Sequence, residues 1–147
     1  MTLLIDALDK NAFSKVDIVL FALPGVGDVG KNAIELLNEA NNAATVARYI
    51  HPGLTPLARL DRDGLLAPPH LAVNRIETKK GKSILTITGR GQPSESYLQH
   101  DFSTELLKHA ADNKIGEIIV LAGLMSAPEV KEAFAVATSS PHRVNLE

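Results

Sequence analysis

The residues best suited to chemistry crowd one glycine-rich stretch, Pro24-Gly25-Val26-Gly27-Asp28-Val29-Gly30-Lys31. Gly25, Gly27 and Gly30 fit G-x-G-x-x-G, and Gly25 to Lys31 fits the front of G-x-x-x-x-G-K-[ST]. Either pattern would bring backbone N–H groups and a helix N-terminus to a phosphate. Each breaks at the next residue the chemistry needs. A phosphate loop wants a hydroxyl after its lysine to hold magnesium, and this chain has Asn32. A later acid on a neighbouring strand is also missing, because Glu117 to Leu121 runs into Ala122-Gly123. A dinucleotide site wants an acid about 20 residues further on, where Tyr49-Ile50-His51-Pro52 stands. Asp28 would itself repel an anion. The stretch reads as a tight structural turn in preference to a phosphate cradle.

Other candidates are weaker. His100-Asp101 suggests an oriented imidazole, but adjacent helical positions point about 100° apart and do not face each other. The five histidines never take H-x-x-x-H or H-E-x-x-H spacing, so no metal site is signalled. Without cysteine there is no thiolate ligand or nucleophile, and no G-x-S-x-G elbow occurs. Asp61-Arg62-Asp63-Gly64 is a turn by composition. Lys79, Lys80 and Lys82 lack interleaved aromatics that would stack bases. No catalytic set and no cofactor are nominated.

The elements that must carry these residues are clearer. Ile18 to Ala22 is a short apolar run that suits a buried strand. Ala33, Ile34, Leu37 and Ala40 then recur at helical spacing, and Asn41-Asn42 marks the stop. Thr45 to Ile50 is a second strand, expected parallel to the first through a right-handed crossover. Leu3 to Ile5 suits a short strand, Leu71 to Thr78 and Ser83 to Thr88 a hairpin turning at Gly81, and Leu65 to Ala67 a short edge strand. Ser94 is the expected N-cap of a helix whose buried stripe is Leu98, Phe102, Leu106 and Ala110. Glu117 to Leu121 and Phe134 to Thr138 read as further strands, with a helical turn at Pro128. The whole predicts a single α/β domain over residues 1–147, with a mostly parallel central sheet and a β-hairpin. Loops following parallel strands meet at one sheet end. Gly25, Gly27, Asp28, Gly30, Lys31, Arg90 and Gln92 are therefore candidates for one ligand crevice, suited to a phosphate or a nucleoside.

At 147 residues, 45% apolar and 22% charged, the chain has the composition of one globular domain. A net charge of −2 gives no reason to expect nucleic acid or an anionic membrane surface. No apolar run is long enough to span a bilayer, and MTLLIDALDK is too short and acidic for a secretory signal. A cytoplasmic protein is expected.

Four pieces carry a family resemblance: LPGVGDVGKNAIELL, then Pro68-Pro69-His70-Leu71, then Thr88-Gly89-Arg90-Gly91-Gln92-Pro93, then Leu121-Ala122-Gly123. In that order and spacing they resemble the proteasome assembly chaperone family, over about Val16 to Thr138. The resemblance implies a three-layer α/β/α sandwich like that of nucleoside phosphorylases, used as a protein-binding scaffold without known catalysis. It implies protein partners, meaning copies of the chain itself and proteasome subunits. It also implies further segments downstream, so the chain reads as a short member of the family or a truncated piece of one. Some members dock through a C-terminal hydrophobic-Tyr-x tail, whereas Asn145-Leu146-Glu147 has Leu at the tyrosine position. The segment from His51 to His70 resembles an insertion that contacts other subunits. It carries Leu54, Leu57, Leu60, Leu65 and Leu66 without helical or strand periodicity. Exposed together, those leucines would form an interaction patch.

Overall fold

The computed structural model describes residues 3–144 other than 57, 61 and 62. Its elements in order are β1 (Leu4–Ala7), β2 (Ile18–Phe21), α1 (Val29–Ala40), β3 (Ala44–Ile50), β4 (Arg59–Leu60), β5 (Leu66–Ala67), β6 (Leu71–Glu77), β7 (Ser83–Gly89), α2 (Ser96–Asp112), β8 (Ile118–Val120) and α3 (Ser140–Val144). Six strands form one sheet in the order β1-β3-β6-β7-β2-β8, and β4 pairs with β5 apart from it.

The sheet is mixed, and the expectation of a mostly parallel one is not met. β2 runs parallel to β7 and β8, while β1–β3, β3–β6 and β6–β7 are antiparallel, so three of the five pairings are antiparallel. The cause is the lysine hairpin. Lys79 to Lys82 folds β7 back on β6, with Gly81 at φ +76° in the turn, and the pair wedges between β2 and β3. β3 therefore does not lie beside β2 as expected, though the successive pairings leave the two pointing the same way.

Alternation along β7 sends Thr86 and Thr88 to one face and Leu85 and Ile87 to the other. The Thr86 hydroxyl donates to the Asn38 side-chain carbonyl of α1 at 2.7 Å, which puts α1 on the threonine face. Ile87 is level with Phe21, whose ring stacks on Phe102 of α2 at 6.2 Å. Helices thus cover both faces. The apolar core lies on the α2 side, where Tyr49, Leu71, Val73, Leu85, Ile87 and Phe102 are buried.

The helix ends follow local rules with one exception. At the end of α1, Asn42 takes φ 47°, and Asn41 donates from its backbone to the Leu37 carbonyl. α2 starts later than expected: Glu95 is its N-cap, not Ser94, and its side chain makes no capping bond. The approach to the helix stays extended through Glu95, past the buried Pro93, whose carbonyl accepts from the Gln99 side chain at 2.8 Å. Phe134 to Thr138 forms no strand either. Those residues lack regular structure, and no strand lies beside them among the described residues. β-Propensity alone does not make a strand; pairing does.

His109 gives this core a pH dependence. Its ring meets Phe13 edge-on at 4.5 Å and Tyr49 at 5.7 Å. Burial pushes its pKa below the ordinary histidine value, against a smaller raising effect from Asp112. On acidification the unfolded chain therefore takes up this proton before the folded one, and stability falls. The urea midpoint is expected to drop between about pH 7.5 and 5.5, and to drop less in His109→Gln. Equal slopes in the two proteins would contradict this.

Candidate functional site

The glycine-rich stretch is a single 3-10 turn, Val26 to Asp28, entering α1. Gly27 and Asp28 both take the left-handed conformation, at φ 62° and 50°. The turn is closed on itself. The Asp28 backbone N–H donates to the Gly25 carbonyl at 3.0 Å, and the Gly25 N–H donates to the Asp28 carboxylate at 3.2 Å. Lys31 pairs with Glu35 one turn along the helix, its Nζ 3.0 Å from each carboxylate oxygen. In this arrangement a loop N–H and the lysine ammonium are both held by carboxylates of the chain itself.

The sequence gives Gly30 and Gly123 no obvious connection, yet they interlock the two ends of this site. A Cβ on Gly30 would lie 2.2 Å from the Leu121 carbonyl oxygen and 3.1 Å from the Ala22 Cβ. A Cβ on Gly123 would lie 2.3 Å from the Val26 carbonyl oxygen. Helix α1 and the exit from β8 therefore approach backbone to backbone. Above them is a hollow of about 250 Å³, with walls from Phe21, Leu23, Val26, Val29 and Val120 and with Gln92 at one side. Its lining is largely apolar.

A second, larger hollow of about 550 Å³ lies on the α1 face of the sheet, between α1, β6 and β7 and the segment from Leu54 to His70. The candidate crevice residues divide between the two. Gly25, Gly30 and Gln92 line the smaller hollow and Arg90 the larger, while Gly27, Asp28 and Lys31 line neither.

An Asp–His pair does occur, between residues that sequence spacing did not connect. His51 is 2% exposed, and its Nε2 lies 3.3 Å from the Asp101 carboxylate. Its Nδ1 accepts the Gly53 N–H at 3.1 Å, so the ring proton resides on Nε2 and points to Asp101. Phe102 packs edge-on to the ring. With both nitrogens engaged, this imidazole clamps the start of the 51–70 segment onto α2. The pair spans 50 residues with no local signature. His100, its tempting neighbour, is exposed.

The leucines of the 51–70 segment also divide. Leu54 is buried and belongs to the domain core. Leu60, Leu65 and Leu66, on and between β4 and β5, are 71%, 65% and 73% exposed. Leu57 lies outside the described residues, as do Asp61 and Arg62 of the expected turn and the tail residues 145–147. No group of three or more metal-ligating side chains occurs among the described residues. No helix there is long and apolar enough to cross a membrane.

A family model described as the PAC2 family matches residues 19–146. No curated protein matches the chain. Among solved structures, Pyrococcus furiosus PbaB, an archaeal proteasome activator, is similar with a TM-score of 0.73 at 20% identity, over 89% of this chain and 55% of that one. Pyrococcus furiosus PbaA, an archaeal homolog of proteasome-assembly chaperone, gives 0.68 at 17% identity, over 90% and 50%. A PAC2 family protein from Streptomyces avermitilis gives 0.56 at 22% identity, over 75% and 51%. The chain spans about half the length of these proteins, and at such identities the likeness is one of fold.

Proposed function

Because the chain belongs to the PAC2 family, we propose that it is a non-enzymatic cytoplasmic scaffold that holds other protein chains, its own copies first and proteasome subunits with them. The observation that carries this reading is the exposure of Leu60, Leu65 and Leu66 on a two-stranded ribbon outside the main sheet. Three large apolar side chains that close together form a surface that association would remove from water. A symmetric pair of copies is the simplest arrangement that covers such a patch on both partners. Two further features support a binding role over catalysis. The Asp101–His51 imidazole has both ring nitrogens engaged, and the glycine loop holds its own donor with Asp28. The proteasome clause is supported by the names of PbaA and PbaB. Immobilised protein is expected to retain proteasome subunits of its host, and to lose them when the three leucines become serine. Failure of the wild type to retain any of them would contradict that clause.

A further inference from the structure

We propose that the 550 Å³ hollow on the α1 face of the sheet binds a small oxyanion-bearing metabolite, a phosphate monoester or a carboxylate, through Arg59, Arg90 and the side-chain amides of Asn38 and Asn74. The volume falls in the range of small-molecule pockets, roughly 300 to 1,000 Å³. The floor is the unusual part. β6 and β7 turn Leu71, Val73, Leu85 and Ile87 to the opposite face, but on this face they bury Asn74, Thr86 and Thr88. A helix-covered sheet face is normally apolar, because buried polar groups must find partners.

The hydrogen bonds on this floor leave an excess of donors. The Thr45 hydroxyl donates to the Asn74 carbonyl oxygen at 2.7 Å, and the Thr86 hydroxyl to that of Asn38 at 2.7 Å. With those acceptors taken, each asparagine keeps an amide nitrogen that has no partner among the described residues. Thr88, 5% exposed, has a hydroxyl without a partner there. Arg59 and Arg90 line the same hollow and form no ion pair among the described residues. Glu35 is the one carboxylate in the lining, and Lys31 already holds both its oxygens. A ligand that fits this wall must bring acceptors and negative charge. Phosphate and carboxylate do both, and a guanidinium can grip either with two parallel bonds.

The test is calorimetry with inorganic phosphate, a hexose phosphate, a nucleoside monophosphate and citrate, on the wild type and on Arg59→Gln and Arg90→Gln. Both arginines are exposed, so the variants should keep the fold. At least one ligand is expected to bind, with affinity about tenfold weaker in each variant, and Arg90→Lys should recover only part of the loss. The phosphates and citrate separate the two ligand sources. The Asn38 and Asn74 side-chain amide resonances should shift on titration. Binding that ignores both glutamine variants would place the ligand elsewhere, for instance at the Gly25 turn, and would overturn the assignment. So would no binding of any of the four.

Discussion

Valine at position 30 is expected to destabilise the protein by about 3 kcal/mol, the upper end of what overpacking costs. The added Cβ meets the Leu121 carbonyl oxygen at 2.2 Å and its carbon at 2.7 Å, and both are backbone atoms. No side chain can rotate away to relieve that contact. Either α1 lifts from the sheet or the exit of β8 moves. Alanine is the sharper probe. In an ordinary helix, replacing glycine with alanine gains up to about 1 kcal/mol, whereas here the same change should lower stability. Urea denaturation checks both variants, and an unchanged or raised midpoint in Gly30→Ala would show that the helix and β8 are not locked together as described.

Changing Leu60, Leu65 and Leu66 together to serine is expected to weaken self-association by about a thousandfold. Burying a leucine is worth at least about 1.5 kcal/mol, so three lost contacts amount to roughly 4 kcal/mol, or three decades in the association constant. The monomer should hardly notice, since all three side chains are exposed within one chain and such surface changes usually stay within about 0.5 kcal/mol. This separation makes the variant informative. Dilution series by light scattering measure the association constant, and urea midpoints confirm the fold. An unchanged association constant would move the contact surface away from the β4–β5 ribbon.

Local patterns carried much of the fold. The apolar run at Ile18, the Asn41-Asn42 stop, the Gly81 hairpin and the Phe102, Leu106, Ala110 stripe all depend on neighbours within a few residues, and each forms. Strand order is different, because it depends on which distant strand arrives beside which. The β6–β7 hairpin takes the place beside β2 that a simple crossover would give to β3. Phe134 to Thr138 has strand composition but no paired neighbour. The site was legible as pieces, not as contacts. Two of the quoted pieces, the glycine turn and Leu121-Ala122-Gly123, meet through Gly30 and Gly123. The donors of the larger hollow come from α1, β6 and the loops beside them, with no spacing to announce them. The His51–Asp101 clamp was likewise invisible to any window shorter than the 50 residues it spans.

The mass of the wild-type protein in solution tests the scaffold reading most directly. Sedimentation velocity over a range of micromolar concentrations is expected to show a species heavier than one chain, its share growing with concentration and falling in the triple serine variant. A single chain's mass at every concentration would contradict the account, because it would leave Leu60, Leu65 and Leu66 with no second copy to cover them.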